Sequence, residues 1–138
     1  MNENEAVHIL IKELKFTNKS IKIIKSFYLD LIGRNKVYNL ISKSSEKISW
    51  QRHIHDSAQL VRYIDFSKGG VLADLGTGAG FPGLLLAIYN QNPNFHVKLY
   101  DKSLVKCKFL NSVIKKNNIN AEVISEPLNN CQIDADYV

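Results

Sequence analysis

The segment VLADLGTGAGFPG, residues 71–83, constrains this chain more than any other. Val71 to Leu75 is a short apolar run with glycines on either side, which predicts a strand buried in a parallel sheet. Gly76, Gly78, Gly80 and Gly83 then crowd one loop, where glycine lets the backbone turn tightly and come close to a ligand. Pro82 suits the first turn of a helix, and Leu84 to Tyr89 reads as that helix. Strand, glycine loop and helix in this order form a nucleotide-cofactor site, with amides at the helix start facing what binds there.

The sequence around this segment extends the same pattern. Phe95–Tyr100 alternates and reads as a second strand, Leu104–Lys116 as a helix with Leu104, Phe109, Val113 and Ile114 as core candidates, and Ala121–Ser125 as a third strand. Asp136-Tyr137-Val138 opens a fourth. Alternating strands and helices predict an α/β Rossmann-like fold with a parallel sheet, incomplete and ordered 3-2-1-4 so far. Upstream the periodicity is helical: Glu5–Lys15 with Val7, Leu10, Ile11 and Leu14 inward, then Lys19–Lys36 with Ile21, Ile24, Tyr28, Leu31 and Ile32 inward. Thr17 and Asn18 mark a turn and N-cap between them, and Gly33 weakens the end of the second helix. Ser42–Ser45 reads as a polar connection, and Ile48–Tyr63 as helical with an interruption or a fresh cap at Asp56-Ser57. Ser67–Gly70 is a turn. The division expected is an N-terminal helical region over 1–66 and a Rossmann-like half domain over 67–138.

At 138 residues, 45% hydrophobic and 22% charged, the chain has the size and composition of one globular domain. It has no run approaching the ~18 apolar residues of a membrane span, and its polar start, MNENEAVHIL, is no signal peptide. A cytoplasmic location and no membrane partner are the expectation. The formal charge of +5 and pI of about 9.2 suit an anionic partner such as nucleic acid, and equally a lysine-rich solvated surface. Cys107 and Cys131 stand far apart without a CxxC and read as reduced packing thiols. His53 and His55, with Asp56 beside them, do not read as a metal site, because residues two apart on a helix point to different faces and no ligand elsewhere completes a set; each histidine is structural or lines the mouth of the site, and no metal is expected.

Asp101 closes the second strand, close to the ~20 residues beyond the glycines at which a carboxylate takes the ribose hydroxyls of an adenosine. The competing role is N-cap of the helix that follows. Two cofactors fit such a loop. Gly78-Ala79-Gly80-Phe81-Pro82-Gly83 is a literal GxGxxG, the dinucleotide fingerprint, but Gly76 and Thr77 precede it and Asp74 lies beside the loop. A carboxylate there repels a pyrophosphate and favours the sulfonium and ammonium of S-adenosylmethionine. The pattern therefore matches S-adenosylmethionine better than a nicotinamide dinucleotide.

VLADLGTGAGFPGLLLA resembles the cofactor loop of the RsmG (GidB) family of small-subunit ribosomal RNA methyltransferases. Tyr38-Asn39-Leu40, Arg52-His53-Ile54-His55-Asp56-Ser57 and DKSLVKCKFL, residues 101–110, resemble further segments of that family in the same order, over roughly residues 20–138. The resemblance implies methyl transfer from S-adenosylmethionine to N7 of a guanine in 16S ribosomal RNA. It assigns Asp74, Gly76, Gly78, Gly80, Phe81, Pro82 and Gly83 to the cofactor loop and Asp101 to the ribose, and Thr77, inside the loop, joins the cofactor-binding candidates. Ser125-Glu126-Pro127-Leu128 departs from the family's Arg-x-Glu-like segment, and the family continues beyond the equivalent of Val138. Arg52, Lys102, Lys106 and Lys108, with the later Lys115 and Lys116, are candidates for RNA phosphates. N7 attack needs no general base, so no catalytic residue is nominated. The alternative reading is a non-catalytic remnant that retains cofactor or RNA binding.

Overall fold

Asn2 opens α1 (Glu3–Lys12) by accepting the Glu5 amide at 2.9 Å. The helix stops short of the expected Lys15 because that residue takes a left-handed φ of 64°, and the Phe16 amide folds back onto the Leu10 carbonyl at 2.9 Å. Thr17 caps α2 (Asn18–Asn35), accepting the Ser20 amide at 3.0 Å. Ile21, Ile24, Phe27 and Leu31 are its buried stripe; Tyr28 and Ile32 are half-buried. The helix passes through Gly33 and ends at Asn35, whose side-chain oxygen accepts the Leu40 and Ile41 amides at 2.9 and 3.0 Å. That contact anchors the Tyr38-Asn39-Leu40 segment.

Two connections differ from expectation. Ser42 to Ser45 belongs to a short helix, α3 (Lys43–Glu46), because the Ser42 hydroxyl caps it by accepting the Ser45 amide. Trp50–His55 winds as a π-helical turn that runs directly into α4 (Asp56–Ala58) and a 3-10 turn, Gln59–Tyr63. The interruption near Asp56 is thus a change of winding, with the Asp56 amide donating to the carbonyls of Gln51 and His53. Neither Asp56 nor Ser57 caps a fresh helix.

The sheet begins at β1 (Gly70–Leu75), which leads through α5 (Gly83–Tyr89) to β2 (Phe95–Tyr100), then through α6 (Leu104–Asn117) to β3 (Ala121–Ile124). This computed structural model describes residues 1–138 apart from the side chain of Asn130. All pairings are parallel, with Gly70 opposite Phe95, Leu75 opposite Tyr100 and Val97 opposite Ala121. On the far side of β1, Tyr137 forms a parallel bridge with Leu72, and the Ala73 amide donates to the Tyr137 carbonyl at 2.8 Å. The spatial order is therefore third, second, first and the start of a fourth, the Rossmann-like arrangement expected.

Leu84 to Ile88 are at most 4% exposed on every side of α5. A helix apolar all round must be covered all round; the sheet lies against it on one side and α2 and α4 on the other. One hydrophobic cluster consequently runs from Ala6 to Val113. In β2, Phe95, Val97 and Leu99 point into it, fully buried, while His96 and Lys98 face away toward Glu122 at 3.2 and 3.9 Å. In α6 the inward set is Cys107, Phe109, Leu110 and Val113. Leu104, expected in the core, is 66% exposed because it is the first residue of the helix and projects beyond the packed layer. No helix among the described residues is long and apolar enough to cross a membrane.

Candidate cofactor site

Pairing of Leu75 with Tyr100 brings the carboxyl ends of β1 and β2 together, and with them Asp74 and Asp101. The loop between β1 and α5 is anchored at both ends. Gly76 and Thr77 donate their amides to the Tyr100 carbonyl at 2.8 and 3.0 Å, and the Thr77 carbonyl then accepts the Gly80 and Phe81 amides at 3.0 and 3.1 Å. Gly80 takes a φ of 112°, and a Cβ there would lie 3.0–3.2 Å from Leu84 and Leu110.

Asp101 holds the middle of this loop. Its Oδ2 accepts the Gly78 amide at 2.8 Å and its Oδ1 the Ser103 amide at 2.9 Å. The N-cap of α6 is Ser103, not Asp101. Each carboxylate oxygen has about two acceptor directions, so each keeps one beyond the backbone amide it already holds. That is the valence a vicinal diol requires.

Asp74 has a different task. Its Oδ2 accepts the Gly83 amide at 2.8 Å, at the first residue of α5. The amide expected to face a ligand is thus taken by the protein's own carboxylate, and the Leu84 amide is taken by the Gly80 carbonyl at 2.9 Å. Helix and carboxylate approach so closely that a Cβ on Gly83 would sit 2.7 Å from Asp74 Oδ2 and 2.5 Å from Leu99 Cδ2. Burial pushes the Asp74 carboxyl pKa up, against the downward pull of the Thr77 hydroxyl and the Gly83 amide, and the charge of Asp101 adds to the rise. The Thr77 side chain is itself buried, and its oxygen lacks a hydrogen bond of sound geometry.

Phe81 meets His53, stacked at 5.0 Å with planes 23° apart, and Phe27 at 5.4 Å; Phe27 continues to Phe109 at 6.0 Å. Pro82 follows Phe81 as the residue preceding α5. His53 Nε2 is buried without a partner, and burial foremost, then the Arg52 charge, holds its pKa below the usual imidazole value. His55 points elsewhere, with Nε2 2.8 Å from Gln59 and Nδ1 3.7 Å from Asp56. Among the described residues no three His, Cys, Asp or Glu side chains are grouped to hold a metal.

Of the basic candidates, Arg52, Lys102 and Lys108 are exposed and Lys106 is half-buried, and among the described residues none of the four is in an ion pair. Lys102 and Lys106 flank Ser103 where α6 begins, beside Asp101; Arg52 lies on the π-helical turn. Lys115 is exposed, while Lys116 is engaged with Asp30 of α2 at 3.2 Å. The sequence reading did not single out Phe27, although its spacing from Ile24 and Leu31 is a helical core signal.

A family model described as rRNA small subunit methyltransferase G (GidB) matches residues 20–138, a range that takes in the loop and both carboxylates. The chain belongs to the GidB family. Curated relatives of this GidB chain carry the name Ribosomal RNA small subunit methyltransferase G. That of Rickettsia bellii is 38% identical over 112 residues, 80% of this chain and 56% of the relative. That of Rickettsia felis is 42% identical over 100 residues, 72% of this chain and 50% of the relative. That of Syntrophomonas wolfei is 38% identical over 110 residues, covering 80% and 46%. The GidB chain spans about half the length of the relatives it matches.

Proposed function

We propose that this chain holds S-adenosylmethionine for methylation of N7 of a guanine in 16S ribosomal RNA. The observation that carries the reading is Asp101, whose carboxylate is fixed by the Gly78 and Ser103 amides and retains acceptor capacity for a ribose. Choice of this cofactor over a dinucleotide is supported by Asp74. Its carboxylate occupies the start of α5, where a pyrophosphate would need the amide that Asp74 already takes. A cationic sulfonium is compatible with that neighbour.

The donor set fits the cofactor. Asp101 would take the ribose, the backbone of Gly76, Thr77, Gly78 and Gly80 would shape the floor, and Asp74, Phe81, Pro82 and Gly83 would fix the far wall. S-adenosylmethionine supplies a methyl carbon made electrophilic by its sulfonium. Guanine N7 already presents an unprotonated lone pair, so the protein's contribution is alignment and proximity rather than proton removal. Arg52, Lys102, Lys106 and Lys108 would hold RNA phosphates and contribute little sequence discrimination. The substrate class is supported by the names of the relatives.

Calorimetric titration with S-adenosylmethionine and with NADH tests the reading. Saturable binding of the first alone, lost in Asp101→Ala, is expected. Binding of NADH, or an Asp101→Ala chain that binds as well as the original, would overturn it. The competing reading is a chain that binds cofactor or RNA without transferring the methyl group. Labelling of small ribosomal subunits with methyl-tritiated cofactor separates the two.

A further inference from the structure

The backbone of residues 76–83 is held by Tyr100, Asp101 and Asp74, but its side chains, beside four glycines, are a threonine, an alanine, a proline and one large ring, Phe81. Phe81 meets two rings, Phe27 from α2 and His53 from the π-helical turn. Phe27 is fully buried and belongs to the core on its own account. His53 is half-buried and does not. The turn that presents it is pinned on either side by Trp50, 6% exposed, and Ile54, 0% exposed. A π turn is an uncommon winding that concentrates at functional sites.

We infer that His53 is a positioning residue for the cofactor loop, its imidazole laid against Phe81 so that the π-helical turn holds the loop in its binding shape. A further observation bears on what the ring contributes. The His53 Nε2 is buried with no hydrogen-bond partner, a loss that an apolar ring filling the same space would avoid. Burial first and the Arg52 charge second, against the weaker pull of Asp56, hold its pKa below the usual imidazole value. A neutral ring can lie flat on a phenyl face without carrying an unpaired charge inside. The part that matters is the flat ring against Phe81, so phenylalanine should replace histidine here and alanine should not. The binding arm of this inference rests on the cofactor reading; the loop-order arm does not.

The experiment combines amide hydrogen exchange of the loop peptide, without ligand, and calorimetric titration with S-adenosylmethionine, on four chains. These are the original, His53→Ala, His53→Phe and Val113→Ala, the last a buried α6 residue whose truncation lowers general stability. In His53→Ala, exchange over residues 76–83 should quicken about ten-fold and affinity fall about ten-fold, with the β2 peptide unchanged. His53→Phe should keep both within about two-fold of the original and melt no lower. Val113→Ala should melt lower with loop exchange unchanged. If His53→Ala does not fold, His53→Leu, apolar but without a planar ring, takes its place. Unchanged loop exchange in that variant overturns the inference. So does equal loosening in Val113→Ala, or a His53→Phe chain that behaves like His53→Ala. If the original chain binds no S-adenosylmethionine, the cofactor reading fails while the exchange arm still decides the role of His53.

Discussion

Asp74 and Gly83 show how tightly single residues constrain this site. The Asp74 carboxyl titrates above its ordinary value of 3.8, chiefly because of burial. A carboxyl whose folded pKa lies above the unfolded one destabilises the fold as it ionises. Stability is therefore lost as pH rises from the unfolded pKa to the folded one, and the full penalty holds above both. Asp74→Asn keeps an oxygen for the Gly83 amide and removes that penalty. Relative to the original chain, its melting temperature should climb between pH 3 and pH 7, while cofactor affinity at neutral pH falls. A pH-independent difference in melting temperature would show that ionisation of Asp74 carries no such cost. Gly83→Ala pushes a methyl into Leu99 and Asp74, and should destabilise by about 1–3 kcal/mol in a denaturant titration. Both residues stood out in the sequence from their place around the loop. That the carboxylate would hold the helix start did not, because spacing along a chain does not say which of two polar partners turns inward.

At the scale of elements, legibility followed periodicity. β2 was read from Phe95 to Tyr100 as it stands, because alternation between buried Phe95, Val97 and Leu99 and outward His96 and Lys98 is a period-two signal. α5 and α6 were read to within a residue from apolar residues bounded by turn residues. Short polar elements escaped. α3 depends on one serine cap over KSSE, where no apolar face exists to reveal a helix. The π turn depends on a single altered hydrogen-bond register, which leaves no mark in residue types. The ring series His53, Phe81, Phe27 and Phe109 ties that turn, the loop, α2 and α6 into one assembly. Phe27→Ala removes its central member, and a loss of about 3–5 kcal/mol is expected in equilibrium unfolding. A loss of less than about 1 kcal/mol would mean the neighbouring rings close the gap.

Across the whole molecule, the charge of +5 acts with the exposed Arg52, Lys102 and Lys108. Under the proposed RNA role, affinity for RNA should fall as salt rises, and Lys102→Ala should weaken binding to all sequences alike while reducing the salt slope by about 0.7–1. An unchanged slope would remove Lys102 from the interface. The chain also has one tryptophan, Trp50, set in the π turn against Tyr28 and 6% exposed. Its emission is therefore a gauge of the helical layer alone. If the helices lift away while the strands persist, the spectrum shifts red before the strand signal in circular dichroism is lost; if layer and sheet come apart together, the two curves coincide. The placement of one indole thus lets ordinary fluorimetry ask whether the cover over the loop opens independently of the sheet beneath it.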